Sequence, residues 1–315
     1  MAGPSSTPVI LAALAGNFMI AVTKFAAAAY TGSAAMFSEA IHSAVDTTNQ
    51  ILLLFGIRQA RRPPTREHPF GHGLQLYFWT FVVAVMIFGL GAGVSILEGI
   101  EKIETPHPIE NVRVNYIVLA IAMLFEGAVW IIALRAFRRA TRGQGWVRAI
   151  RASKDPTLFT VLFEDTAAML GLMVAMGGLA LGEALDMPVF DGIASLIIGL
   201  ILATTALMIA YECQSLLTGE AATEEVRLSI RAIAMAEPGI LDPNEILTMH
   251  FGPDDVLVAL SLHFDDALSA AQVQEAVSRI ERRIKAAHPE VRRVFIEAQE
   301  PKPGETEDGE PTDGA

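Results

Sequence analysis

Ionisable side chains interrupt an apolar stretch near residue 40 in a pattern suited to metal binding. His42 and Asp46 are four residues apart, and Glu39 precedes His42 by three residues. On an α-helix these spacings place all three side chains on one face. A charge in hydrocarbon costs about 3 kcal/mol, so such residues occur mainly where they pair, meet water or bind an ion. Imidazole and carboxylate groups together form a ligand set for zinc and similar ions. The alternative is a polar pair that is hydrogen-bonded between packed helices.

The composition is typical of a protein that crosses a membrane several times. Hydrophobic residues make up 52% of the 315 residues and charged residues 18%, and the mean hydropathy is +0.42. The formal net charge of -12 argues against a nucleic acid partner, because phosphate binding favours a basic face. The single cysteine, Cys213, excludes a disulfide framework and a CxxC metal site. Residues 1–7 lack a basic signal-peptide region, so we expect the first apolar run to remain in the mature protein.

Six apolar runs are each about 20 residues long, which is enough to span roughly 30 Å of hydrocarbon. Arginines are concentrated in the loops after the second and fourth runs, whereas the other loops are short or acidic. By the positive-inside rule both arginine-rich loops are cytoplasmic, and an even number of spans then places both termini in the cytoplasm. The chain is therefore expected to be an integral, multi-pass membrane protein. The six predicted transmembrane helices lie near residues 8–30, 34–57, 76–97, 114–134, 157–181 and 188–211.

The pattern changes after residue 219 to that of an ordinary charged, globular domain. Alternating and 3.6-residue periodicities predict the element order αββαβ, a two-layer α+β domain of the ferredoxin-like or metallochaperone-like type. The predicted elements are a helix over 223–236, strands over 245–251 and 256–264, a helix over 269–287 and a strand over 291–297. The expected domains are a six-helix transmembrane transport domain over 1–215, a cytoplasmic domain over 216–299 and a disordered acidic tail over 300–315.

Several polar residues in the predicted spans fall at one depth, given a rise of about 1.5 Å per residue. Asp46 and Asp165 each lie roughly 12 Å from the cytoplasmic face of the hydrocarbon core. Glu126 reaches the same depth, Asn17 is close to it, and His42 lies about one turn farther out. Independent packing residues have no reason to agree in depth, so the coincidence favours one ion site between helices.

Not all of these residues are expected to bind the ion. Glu164 and Asp165 are neighbours whose side chains differ in direction by about 100° on a helix, so only one can point directly at a site. We take Asp165 as the ligand, with Glu164 either a fourth ligand or a group that supports the ligands and carries protons. Glu126 is either a ligand or proton relay, or a structural partner. Glu39 and Asn17 are expected to be structural or to support the ligands.

Four motifs, taken in order, resemble those of the cation diffusion facilitator family, and more narrowly its zinc transporter nine-like branch. The resemblance covers the membrane part and extends to the cytoplasmic domain. It implies a homodimeric antiporter that moves zinc or a similar divalent ion out of the cytosol in exchange for protons, and we expect a prokaryotic inner membrane. The motifs are SEAIHSAVDTTNQ over 38–50, HPFGHG over 68–73, EGA over 126–128, and DP over 155–156 followed by LFEDTAA over 162–168.

The resemblance also implies which residues bind the transported ion. In such proteins two ligands come from the second span and two from the fifth, and three of them carry over to His42, Asp46 and Asp165. The remaining ligand, a His or Asp four residues earlier in many relatives, falls on Val161, which cannot bind metal. This departure leaves the fourth ligand and the metal preference open. The adjacent Glu164–Asp165 pair is itself a feature of the branch.

Two other sets of residues correspond to metal sites in some family members. His68 and His72 match a second, interfacial site, although the same residues also fit a Pro-Gly turn before a helix. In the cytoplasmic domain, relatives hold metal between protomers at positions that carry neutral side chains or a lone carboxylate here, so we do not expect metal there. Those positions are Asn244, Ser261, Glu297 and Gln299.

The sequence therefore predicts a divalent metal efflux transporter that works by alternating access, with zinc, protons, membrane lipid and a second copy of the chain as partners. Iron, manganese, cobalt or nickel remain alternative cargoes, because their ligand preferences overlap with those of zinc. A membrane metal sensor without transport is a further alternative. An intramembrane metalloenzyme is disfavoured because no HExxH or GxSxG motif occurs in any predicted span.

Overall fold

A computed structural model describes residues 7–109, 111–140 and 154–300. The chain divides into two compact units at the Leu217–Thr218 bond. The predicted disordered tail, apart from its first residue, and part of the second arginine-rich loop lie outside the described residues.

The first unit is built from long helices whose ends carry recognisable caps. The side chain of Ser33 caps the second helix, and Asp155 caps the helix that begins with Pro156 at its first position. Asp186 ends that same helix in a left-handed conformation with a φ of 53°. The elements are α1 (Thr7–Thr31), α2 (Ala34–Ala60), α3 (Leu74–Met86), a π-helical segment (Ile87–Ala92), α4 (Gly93–Glu104), α5 (Val112–Ala140), α6 (Pro156–Leu185) and α7 (Val189–Thr218).

Four helices of this unit are long and apolar enough to cross a membrane. The first is continuous through α3, the π-helical segment and α4, so the acidic residues up to Glu104 belong to a helix rather than to the predicted loop. The first two predicted spans correspond to α1 and α2, which are 25 and 27 residues long. Within the described residues, neither helix meets the combined criterion of length and apolar composition that the four others meet. The ionisable residues of α2 lower its hydropathy. The four helices are Leu74–Glu104, Val112–Arg135, Phe159–Leu185 and Val189–Thr218.

Small residues allow α4 and α7 to pack closely. A Cβ atom added at Gly192 would lie 2.9 Å from the carbonyl oxygen of Gly99, and one at Gly199 would lie 3.0 Å from the amide of Ile96. Ser195 lies between these two glycines of α7 and donates a hydrogen bond of 2.8 Å to a carbonyl of α4. Glycine and serine at these positions therefore permit a backbone approach that larger side chains would prevent.

The second unit has the αββαβ order predicted from the sequence. Strand β1 is antiparallel to β2, which is parallel to β3, giving a mixed sheet in the order β1-β2-β3. β1 begins several residues earlier than predicted, because register shifts on both sides of Pro243 accommodate a residue that usually interrupts a strand. The elements are α8 (Glu224–Met235), β1 (Ile240–Gly252), β2 (Asp255–Phe264), α9 (Ala270–Ala287) and β3 (Val291–Ala298).

Candidate metal site between helices

Helix α2 presents His42, Asp46 and Asn49 at helical spacing, so the three side chains form one stripe. His42 is 1% exposed, and its Nε2 lies 3.6 Å from Oδ2 of Asp46, which is longer than a hydrogen bond. Among the described residues, both ring nitrogens of His42 and Oδ1 of Asp46 lack a hydrogen-bond partner. Such a buried atom costs about 1–3 kcal/mol. The pair is therefore poorly explained as a structural hydrogen bond and well suited to sharing a cation.

The start of α2 is fixed by Asp191, a buried carboxylate in the first turn of α7. Its Oδ2 accepts a hydrogen bond of 2.6 Å from the amide of Ala34, and its Oδ1 accepts one of 2.6 Å from the hydroxyl of Ser33. These contacts satisfy donors that a helix start otherwise leaves unpaired. Sequence reasoning missed this role, although a carboxylate opening an apolar helix was a visible signal. Asp191 thus anchors the helix that positions His42 and Asp46.

Helix α6 brings Glu164 and Asp165 to the same region. Glu164 is 6% exposed, and its Oε1 accepts a hydrogen bond of 2.8 Å from Nδ2 of Asn49 on α2. Asp165 is half-buried, and its Oδ2 has no hydrogen-bond partner within the part of the chain that is described. The charges of both residues act on the carboxylate of Asp46. The structure therefore places Glu164 against the stripe of α2, through its bond to Asn49.

These groups do not form a closed ligand shell. Within residues 7–109, 111–140 and 154–300 no cluster of three or more His, Cys, Asp or Glu side chains is arranged to hold a metal ion. Zinc ligands lie about 2.0–2.2 Å from the ion, and the described side chains do not converge to that spacing. Val161, the residue in the usual ligand position, is 37% exposed.

A buried lysine that sequence reasoning missed lies beside the stripe. Lys24 of α1 is 0% exposed, and its Nζ donates hydrogen bonds of 3.1 Å to Oε2 of Glu39 and 2.8 Å to the hydroxyl of Ser43. The other oxygen of Glu39 faces Gly171 of α6, where an added methyl group would collide with it. This ion pair favours a structural role for Glu39. A lone lysine in an apolar helix was the signal available in the sequence.

The remaining predicted polar groups are spread around this region. Glu126 of α5 is 9% exposed and acts electrostatically on Asp46 and Asp165. Asn17 of α1 is half-buried. α5 is joined to α6 by a hydrogen bond of 3.0 Å from Nε1 of Trp130 to the hydroxyl of Thr166, the residue after Asp165.

His68 and His72 lie in the turn that precedes α3. Their ring centroids are 4.7 Å apart. The amides of Thr65 and Gly71 both donate to the carbonyl oxygen of His68, at 3.1 and 3.0 Å, and Gly71 has a φ of +89° that favours glycine. The segment is therefore the tight turn that its sequence indicates, and it also brings two imidazoles together.

In the second unit, three neutral side chains form a hydrogen-bonded cluster. Nδ2 of Asn244 lies 3.5 Å from the hydroxyl of Ser261, and that hydroxyl donates a bond of 2.9 Å to Oε1 of Gln299. Glu297 pairs with Ser261 across β2 and β3 and is exposed. Amide and hydroxyl groups satisfied in this way are a poor zinc site.

Comparison with known proteins places both units in one group. Residues 10–218 match the model of the cation efflux transmembrane domain, and residues 222–300 match that of the cation efflux protein, cytoplasmic domain. A proton-coupled zinc antiporter SLC30A9, mitochondrial, from Xenopus laevis is 32% identical over 268 residues, which are 84% of this chain and 47% of the relative. Its Homo sapiens counterpart is 29% identical over 328 residues, 92% of this chain and 58% of the relative.

A shorter relative matches over most of its own length. The cation-efflux pump FieF of Klebsiella pneumoniae is 27% identical over 261 residues, which are 82% of this chain and 81% of the relative. The chain spans about half the length of the antiporter relatives, with coverage between 47% and 58%.

Proposed function

The chain belongs to the cation efflux family. From this premise we propose that it is a proton-coupled antiporter that moves a divalent metal ion out of the cytosol, and that the ion is zinc. The observation that supports this most is the buried polar stripe of α2. Its imidazole and carboxylate atoms lack partners among the described residues, and Asn49 of the same stripe bonds Glu164 of α6. A cation is the partner that such atoms fit.

His42, Asp46 and Asp165 are the proposed ligands, with Glu164 as the fourth. One imidazole and three carboxylates suit zinc, while iron, manganese, cobalt and nickel are the alternative cargoes. Two relatives bear the name zinc antiporter, and another is called only a cation-efflux pump. Zinc is therefore the first metal to test.

Proton coupling is proposed from the ligand chemistry, because imidazole and carboxylate ligands must lose protons to bind a metal. Protons arriving from the far side compete with the ion and release it. Moving one elementary charge against 100 mV costs about 2.3 kcal/mol, so the inward movement of protons offsets the cost of expelling a doubly charged ion.

The proposed setting is a membrane crossed six times, with α1 and α2 as the first two spans and both termini in the cytoplasm. Packing of α2 against lipid-facing neighbours would shield its ionisable stripe. The second unit is proposed to join two copies of the chain into a homodimer, and a prokaryotic inner membrane remains the predicted location.

Transport in reconstituted vesicles tests the proposal. The purified chain is placed in vesicles that contain a pH-sensitive dye, and Zn²⁺, Mn²⁺, Fe²⁺, Co²⁺ or Ni²⁺ is added outside. We expect Zn²⁺ to drive proton movement and labelled zinc to exchange across the membrane. Binding of metal without either flux would instead identify a metal sensor.

A further inference from the structure

We propose that Asn49 is the positioning residue that holds Glu164 in place as the fourth metal ligand. The inference rests on the proposed function and identifies how the chain replaces the ligand that Val161 cannot supply. Asn49 is 0% exposed, and its Nδ2 donates a hydrogen bond of 2.8 Å to Oε1 of Glu164. This bond joins α2 to α6 beside the proposed ligands.

The chemistry of the bond fixes its direction. An ionised carboxylate accepts hydrogen bonds and cannot donate them, so the amide nitrogen of Asn49 must face Glu164. A glutamate side chain loses conformational entropy when it is held in one arrangement. Asn49 fixes that arrangement before the metal arrives. The carboxylate retains further lone pairs with which it can bind a cation.

The location of Asn49 explains how two adjacent acids can serve one site. Glu164 and Asp165 point about 100° apart on α6. Asn49 lies one turn beyond Asp46 on the α2 stripe and binds the carboxylate of Glu164 there, across the helix interface. Glu164 is therefore directed toward α2.

Asn49 differs from a structural amide in the group that it bonds. Its Nδ2 donates to the carboxylate of Glu164, a proposed ligand, while its Oδ1 is buried without a hydrogen-bond partner among the described residues. Asn115 of α5 provides a matched comparison. It is 1% exposed, its Oδ1 accepts a bond of 2.9 Å from the hydroxyl of Thr31, which also joins two helices, and its Nδ2 likewise lacks a partner among the described residues. Asn115 therefore shares the burial and the half-used amide of Asn49 but bonds no proposed ligand.

A double-mutant cycle on the full chain in detergent tests this role, with Zn²⁺ alone as the probe. The variants are Asn49→Ala, Glu164→Gln, the double variant, and Asn115→Ala as the control. Residues that orient metal ligands typically contribute a factor of about 10–100 in affinity. We expect Asn49→Ala to raise the Kd for zinc by about 10–100-fold. The Kd of the double variant should not exceed that of the single variant with the higher Kd. Asn115→Ala should leave the Kd unchanged.

Asn49→Leu guards against loss of folding, because leucine keeps the approximate shape of the side chain while it removes the amide group. It should weaken zinc binding as much as Asn49→Ala does. Additive losses in the cycle, or equal effects of Asn49→Ala and Asn115→Ala, would overturn this inference while leaving transport by the wild type intact. A wild-type chain that neither binds nor moves zinc would instead overturn the proposed function.

Discussion

The two units of this chain differ in how completely their buried polar groups are paired. Among the described residues, every buried side-chain nitrogen or oxygen atom without a hydrogen-bond partner belongs to the first unit. Half of these twelve atoms belong to five residues of the candidate site and its surroundings. Native proteins rarely leave such atoms unpaired without a reason. The five residues are Glu39, His42, Asp46, Asn49 and Asp165.

The buried polar groups of the second unit have partners nearer its surface. Glu237 is 4% exposed, and its two oxygens accept hydrogen bonds from Arg279 at 2.7 Å and Arg283 at 3.5 Å. The bond to Glu237 raises the pKa of the Arg279 guanidinium above its ordinary value. Buried polarity in this unit holds the fold together, whereas several buried atoms of the first unit have no partner among the described residues.

The largest effect is expected from Asp46→Ala in the first unit. Asp46 is central to the stripe, and its loss removes both a proposed ligand and a negative charge that would balance a cation. We expect metal-driven proton flux in vesicles to disappear. Glu101→Ala, which removes an exposed carboxylate of α4, is the control and should transport normally. Near-normal flux in Asp46→Ala would show that the unpaired polar atoms of the first unit are not needed for transport.

A second test concerns the buried ion pair beside the site. Lys24→Met leaves the carboxylate of Glu39 buried without its partner, and breaking a buried pair in this way costs about 3–5 kcal/mol. We expect a large fall in the thermal unfolding temperature of the purified protein. The double variant Lys24→Met/Glu39→Leu should recover most of that loss, because it replaces both charges with apolar groups. Equal destabilisation in both variants would show that the pair is not the cause.

A smaller effect is expected where α6 approaches Glu39. Gly171→Ala adds a methyl group that collides with the carboxylate, and such overpacking typically costs about 1–3 kcal/mol. A Cβ atom added at Gly177 of α6 would instead meet open space. Gly177→Ala should therefore be neutral or stabilising, since alanine favours helix by about 1 kcal/mol. If both substitutions lower the unfolding temperature, or both raise it, the close approach of Glu39 to Gly171 is not the cause.

The smallest effect is expected in the second unit. Asn244→Ala removes one member of a neutral hydrogen-bonded cluster, which should cost about 0.5–1.5 kcal/mol of unfolding free energy. Zinc affinity should stay unchanged, because the cluster is not a proposed ligand set. Chemical denaturation and a zinc titration of the same sample check both points. A loss of zinc affinity would mean that metal also binds in this unit.

Local patterns in the sequence predicted much of this molecule. The spacing of His42 and Asp46 predicted their shared face, and the periodicity after residue 219 predicted the order of helices and strands. The family resemblance is confirmed by matches over both units. These features depend on neighbours along the chain, and such neighbours can be read from spacing.

Partners from distant parts of the chain could not be predicted in that way. Asn49 and Glu164 are 115 residues apart, and Ala34 and Asp191 are 157 apart. Helical periodicity identifies the face on which a side chain lies and not the helix that meets it. The start of β1 at Ile240 was not predicted for a related reason, because the register of this bulged segment depends on its pairing with β2.

Anomalous X-ray scattering at the zinc edge from zinc-loaded crystals of the wild-type chain tests the central claim most directly. The account predicts a zinc peak between α2 and α6, with the imidazole of His42 and the carboxylates of Asp46, Asp165 and Glu164 about 2.0–2.2 Å from the ion. Zinc bound in the second unit or at the histidine turn, with no peak between α2 and α6, would contradict it.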